Sequence, residues 1–249
     1  MEKRNSREIR VFALRRSGHH GVISWLMGHF SGEVYRRNNV SGWREHEKTW
    51  GILDEETRNP RIGQIRDCYI WNAEDVPVRD VLPGVASGDW NVLNGPSARV
   101  DTILVLRDPY NWLASRIGLF GWADVGIGLM ELWKGYAREF LAETGHLPVE
   151  RLHRVSYNAW FGSEAERSRL ALELGLPFTD RGLSRMIVGS SFDGARPDPR
   201  MMKVNDRWRV FAGDARYRDL VLADPEVTRL AGRIYGDQAR EIIRSLDAG

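Results

Sequence analysis

The chain has 249 residues, 42% apolar and 28% charged, with 36 Lys+Arg against 34 Asp+Glu and a net charge of +2. That length fits one domain spanning 1–249, and the balance excludes a disordered, collagen-like or polybasic chain and gives no signal for nucleic acid. One cysteine, Cys68, excludes an intramolecular disulfide and any multi-cysteine metal cluster. With a charged N-terminus and no apolar run of about 18 residues, the expectation is a cytoplasmic protein without a membrane span.

Two short apolar runs, Ile9–Leu14 and Thr102–Leu106, read as buried parallel strands. The first leads through Arg15-Arg16-Ser17-Gly18-His19-His20-Gly21 into Val22, Ile23, Trp25, Leu26 and Phe30, an apolar stripe at helical spacing. Arg61–Trp71 contains a further strand, and the Gly/Pro/Asp/Asn-rich stretch Val76–Ala98 reads as irregular, substrate-facing loop. After the second apolar run, Asp108 is placed to cap and Pro109 to open a helix over Tyr110–Gly118. Farther on, Leu129–Glu143 reads as helix, His153–Ser156 as strand, and Glu164–Leu174 as helix with Gly175 at its C-cap. Gly189–Pro199 is loop-like, and the tail from Arg216 alternates helical pattern with Asp/Pro punctuation. Strands alternating with helices predict a mostly parallel, doubly wound α/β sheet flanked by helices. Ten tryptophans are expected mainly in the core, although Trp43, Trp50, Trp71 and Trp90 are also placed to stack on a ring or sugar.

A tight turn from strand to helix aims backbone N–H groups and the positive end of the helix dipole at one point, which favours a phosphate. Arg15, Arg16 and Ser17 add side-chain donors there. The GxxxxGK[ST] spacing is missing, which disfavours an ATPase or kinase. Arg107 closes the second strand and Ser115 lies eight residues later, about two helical turns on, so both can face a second anionic group. An ordinary turn with solvated arginines, and an Arg107 paired with a carboxylate, are the plainer readings of the same residues.

These motifs resemble the sulfotransferases that use 3′-phosphoadenosine 5′-phosphosulfate (PAPS). Arg15-Arg16-Ser17-Gly18-His19-His20 resembles their 5′-phosphosulfate loop, and Arg107-Asp108-Pro109 with Ser115 resembles their 3′-phosphate motif. Tyr157 resembles the family's adenine-side Tyr, and Ser191-Phe192-Asp193 its adenine-stacking segment. Lys203-Val204-Asn205-Asp206-Arg207-Trp208-Arg209 is similar to a C-terminal basic segment of bacterial and carbohydrate sulfotransferases. The chain departs from the pattern at His19-His20, where small hydroxyl residues are usual, and at Arg16, where many relatives have Lys.

The resemblance implies a P-loop-like sulfotransferase fold and metal-independent transfer of a sulfuryl group from PAPS to a hydroxyl or amine of a small-molecule or carbohydrate acceptor. It places Arg15, Arg16, Ser17 and the Gly18–His20 amides on the 5′ side, with Arg16 also catalytic, and Arg107, Ser115, Lys203 and Arg207 with the nucleotide. Glu74 and Asp75, following a strand-like Arg66–Trp71, are the first candidates for the base; His20, His46 and Glu45 are rivals. Two other classes stay open: an atypical nucleotide-dependent kinase or transferase, and a non-catalytic phosphonucleotide- or glycan-binding relative.

Overall fold

The computed structural model describes residues 5–39, 66–80, 96–126, 128–147, 149–183 and 202–248. Their centre is a five-stranded sheet of β1 (Glu8–Ala13), β2 (Val34–Arg37), β3 (Cys68–Glu74), β4 (Val100–Leu106) and β5 (Leu152–Ser156). The order is β2-β3-β1-β4-β5 and every pairing is parallel. The chain winds from β1 outward to one edge and then returns beside β1 to wind to the other. The crevice at the carboxyl ends of β1 and β4 is therefore the switch point where such sheets bind ligands.

β1 is buried along its whole length and feeds both faces. Ile9, Val11 and Ala13 pack with α1 (His19–Met27) and with Trp160, Leu170 and Leu174 from α4 (Tyr157–Gly162) and α5 (Glu164–Leu174). Phe12 and the following Leu14 pack on the opposite side with α2 (Pro109–Phe120), α3 (Gly128–Phe140), α6 (Ala215–Leu222) and α7 (Pro225–Asp247). The two-sided burial explains why the central strands read as continuous apolar runs rather than alternating ones. Among the described residues, no helix is long and apolar enough to cross a membrane.

Local chemistry sets the helix ends. Asp108 caps α2 by accepting the Asn111 amide at 2.8 Å, with Pro109 in the first turn. Ser163 caps α5, and Gly175 ends it at φ 66°, a left-handed position that favours glycine. The third strand differs from expectation: it starts at Cys68 and runs past Trp71, so Glu74 is its last residue and only Asp75 lies beyond. β2, α4 and a 3-10 turn over Arg207–Phe211 are additions to the elements expected from sequence.

Leu104 is fully buried in β4, whereas Leu172 on α5 is 79% exposed. Urea unfolding should show Leu104→Ala costing about 2–5 kcal/mol and Leu172→Ala within about 0.5 kcal/mol of the parent. Equal effects would contradict the assigned burial.

Candidate functional site

The turn between β1 and α1 has two left-handed residues, Arg16 at φ 70° and Gly18 at φ 90°. The first is strained, because its Cβ crowds the following carbonyl at a cost of roughly 1–2 kcal/mol. The second tolerates only glycine for an added reason: a Cβ there would collide with the Tyr157 ring. Neighbouring elements hold the turn in place. Asp75, itself left-handed at φ 58°, accepts the Arg15 amide at 2.9 Å, and the Trp112 indole on α2 donates to the Arg15 carbonyl at 2.8 Å. The Trp133 indole on α3 donates to the Arg107 carbonyl at 2.9 Å, so each of the two turns is fixed by a buried tryptophan. The His19 and His20 amides then stand at the start of α1, where helix N–H groups face outward.

Ser115 is the meeting point of the cations. Arg16 Nε donates to its Oγ at 3.2 Å from the β1 turn, and Arg207 Nη1 at 2.7 Å from the 3-10 turn. Arg107, 1% exposed, comes from the end of β4 and donates to the carbonyls of Arg16 and Val204. Among the described residues Arg107 has no carboxylate at ion-pair distance, and its buried Nε has no hydrogen-bond partner. Burial, followed by the charge of Arg207, lowers the Arg107 pKa to about 10 and also lowers that of Arg16. Guanidiniums that desolvate and repel one another are what an anion would stabilise.

Across the turn lies a carboxylate. Glu74 Oε1 faces His19 Nε2 at 3.1 Å, His20 Nε2 at 3.4 Å and the Asn72 amide at 3.0 Å, while Oε2 is 3.5 Å from Arg15 Nε. Burial alone would raise this carboxyl, but the His19 hydrogen bond and the neighbouring positive charge outweigh it and hold it at about 2. His20 goes down to about 3, from burial first and then from its cationic surroundings. Arg36 on β2 donates to His20 Nδ1 at 2.6 Å. Arginine is only a donor, so the ring proton sits on Nε2, 3.4 Å from Glu74 Oε1.

His19, His20 and Glu74 bring one ligating atom each within 4.8 Å of one another, a spacing a metal ion accepts. A metal would need the lone pair of His20 Nε2, which the Arg36 contact makes an N–H, and would sit among Arg15, Arg16 and Arg36. The group is thus built as N–H donors on a carboxylate.

These residues line one cavity of about 330 Å³ that contains Arg15, Arg16, Gly18, His19, His20, Glu74, Arg107, Tyr157 and Arg207. A larger cavity of about 380 Å³ lies between Pro77–Arg79 and α3, but its Arg138 is already paired with Glu226. Other candidates sit elsewhere. The Ser17 side chain is fully buried and its hydroxyl faces His19 Nδ1 at 3.4 Å, away from the cavity. Asp75 is engaged by Arg116 at 2.8 Å as well as by the Arg15 amide, which ties β3, the β1 turn and α2 together. Lys203 is exposed, while its neighbours supply the Val204 carbonyl and Arg207. Trp71 is buried in the core with its indole on Glu8. Ser191, Phe192, Glu45, His46, Trp43, Trp50 and Trp90 lie outside the described residues. Trp112, Trp133 and Arg36 carry no sequence signal for their roles: an indole under a carbonyl leaves no spacing pattern, and β2 is four residues of mixed character.

No family model and no curated protein matches the sequence. Solved structures do match. The sulfotransferase domain of the Synechococcus PCC 7002 olefin synthase has a TM-score of 0.55 at 15% identity, over 94% of this chain and 96% of that one. The mouse sulfotransferase SULT7A1 complexed with PAP gives 0.54 at 11%, over 96% and 90%. The sulfotransferase domain from the curacin biosynthetic pathway gives 0.50 at 15%, over 91% and 96%. The fold is that of the sulfotransferases. Identities this low carry the sulfotransferase architecture and leave the chemistry to be argued from the site.

The ionisations at this site set an acid limit. His20 is depressed from 6.5 and Glu74 from 4.5, so in both windows the unfolded chain binds more protons than the folded one. Their stabilising contribution is complete above about pH 6.5 and is lost as pH falls through the His20 and then the Glu74 window. Urea midpoints should fall from pH 7 to pH 4, and His20→Gln should flatten the upper part of that decline. A midpoint that rises on acidification would contradict these environments.

Proposed function

We propose that this chain transfers a sulfuryl group from PAPS to a hydroxyl of a small-molecule or carbohydrate acceptor. The observation that carries this reading is the gathering of Arg16, Arg107 and Arg207 on one cavity, which also takes in the N-terminus of α1, with Arg16 and Arg207 sharing the buried Ser115 hydroxyl behind it. Two cationic grips on one cavity suit a ligand with phosphates at both ends, and the buried Arg107 Nε, without a hydrogen-bond partner among the described residues, fits an additional oxygen acceptor. The sulfotransferase fold supports the same ligand class, since SULT7A1 is described in complex with PAP. A reducing, cytoplasmic setting belongs to this reading, in keeping with the single buried Cys68.

When bound, PAPS supplies an activated S–O bond that breaks as the acceptor oxygen bonds to sulfur, the electron pair staying on the 5′-phosphate. The protein's own part is positioning and charge. Arg107 and Arg207 hold the 3′ side, with Ser115 behind them orienting Arg16 and Arg207, and Tyr157 and Gly18 line the same cavity. Arg15, Arg16 and the helix amides stabilise negative charge on the 5′ side. Glu74, ionised throughout the neutral range and at the cavity wall, takes the acceptor proton. Asp75 keeps the Arg15 backbone in register and has no part in proton transfer.

Two measurements test this. Arg107→Met should weaken adenosine 3′,5′-bisphosphate about 10- to 100-fold while leaving adenosine 5′-phosphate nearly unchanged, because one charge-assisted bond is worth about 1.5–3 kcal/mol. Arg207→Met should behave likewise if Arg107→Met folds poorly; equal losses for both nucleotides would refute the placement. Glu74→Gln should lower kcat by about 10²–10⁴ with the bisphosphate affinity retained. Unchanged turnover would remove Glu74 as the base.

A further inference from the structure

The adjacent histidines at the start of α1 are a departure from the resemblance that sulfuryl transfer does not by itself explain. Their geometry is specific. His19 Nε2 at 3.1 Å, Asn72 Nδ2 at 3.0 Å and His20 Nε2 at 3.4 Å all address one oxygen of Glu74, Oε1. The other oxygen, Oε2, has Arg15 Nε at 3.5 Å as its nearest ion-pair partner among the described residues. That distance is beyond a normal N–H···O bond and leaves Oε2 able to accept a proton. The two imidazoles lie 4.1 Å apart, centroid to centroid, and so reach the same atom from neighbouring positions.

Each ring is held in the tautomer this needs. Arg36 Nη2, 2.6 Å from His20 Nδ1, can only donate, which puts the His20 proton on Nε2. Ser17 Oγ, 3.4 Å from His19 Nδ1 and buried, can donate to that nitrogen and leave the His19 Nε2–H for Glu74. Buried Ser17 thus acts through a histidine and not on a phosphate. Resting on the sulfuryl-transfer reading of the site, we infer that His19 and His20 are positioning residues that fix Glu74 through Oε1 and present Oε2 to the acceptor hydroxyl. The O–H bond of the acceptor breaks, its proton goes to Oε2, and its electron pair remains on the attacking oxygen.

The charged and titratable groups facing Glu74 are Arg15 from the β1 turn, His19 and His20 from α1, Arg36 from β2, Asp75 beyond β3 and Tyr136 from α3. Removing an imidazole leaves the cationic groups but takes away a polar contact to the carboxylate, a hydrogen bond for His19 and a 3.4 Å approach for His20. Desolvation then acts with less opposition and favours the protonated acid.

His20 is the better first target, because its side chain is 29% exposed while that of His19 is 2% exposed. With His20→Leu, the acid limb of kcat/KM should move up into the range where the parent is flat. The loss should deepen about tenfold per pH unit below the new limb, with recovery at higher pH. Adenosine 3′,5′-bisphosphate affinity should stay within about twofold. His20→Gln, whose amide N–H reaches a similar point, should restore most of the activity. In the parent protein, ¹⁵N spectra at neutral pH should show His20 as the neutral Nε2–H form, a readout that needs neither donor nor acceptor.

Equal losses in His20→Leu and His20→Gln with no change of pH profile would overturn the positioning role. A fall in bisphosphate affinity matching the fall in kcat would overturn it too, by placing His20 on the donor. So would activity lost to a chelator and restored by Zn²⁺, which would make the three residues metal ligands. If the parent protein neither binds the bisphosphate nor transfers a sulfuryl group, the functional reading fails while the ¹⁵N spectra still decide the tautomer.

Discussion

Three arginines from distant parts of the chain are brought to one cavity. Arg16, after β1, and Arg207, near the C-terminal helices, both donate to the buried Ser115 hydroxyl, and Arg107, after β4, donates to the Arg16 and Val204 carbonyls. Such an arrangement opposes folding, because each guanidinium loses water and feels the others, as the lowered values of Arg16 and Arg107 record. It persists because the backbone around it is fixed by other means. Carbonyls of Arg16 and Val204 accept from Arg107, Trp112 and Trp133 hold the Arg15 and Arg107 carbonyls, and Asp75 holds the Arg15 amide.

The sheet makes this convergence possible. Because β1 and β4 are neighbours and parallel, the turns that follow them open at the same edge, and the helices they feed lie on opposite faces. The strand on the other side of β1 ends in Glu74, which brings a carboxylate to the same edge. A cationic half and a proton-accepting half therefore face one cavity. The cost appears as backbone strain at Arg16 and Asp75, two non-glycine residues in left-handed conformation at the ends of adjacent strands.

Much of this was legible in the sequence. Apolar runs bounded by polar turns located β1 and β4 within two residues, and the Asp108-Pro109 start of α2 and the Gly175 stop of α5 are local signals that tertiary structure did not override. Arg107 at the end of β4 and Ser115 on α2 were both placed toward one site by the sequence, and Ser115 is where Arg16 and Arg207 meet. What could not be read was the partner of each polar group. Ser17 looks like a phosphate donor in a linear motif, yet the turn rotates it inward onto His19. Asp75 and Glu74 are adjacent and chemically alike, and only the end of β3 sends one to the cavity and the other to Arg116. β2 is four residues of mixed character, VYRR, too short to show a period, so Arg36 and its hold on His20 had no sequence signature.

The central claim is that the turns after β1 and β4 hold the two ends of one bisphosphorylated nucleotide. Calorimetric titration of the unmodified protein in magnesium-free buffer tests it most directly, with adenosine 3′,5′-bisphosphate compared against adenosine 5′-phosphate and ATP. The account predicts one site per chain for the bisphosphate, an affinity that weakens as salt rises, and at least about tenfold weaker binding of the other two nucleotides. No heat with the bisphosphate, or tight binding of ATP that depends on magnesium, would contradict it.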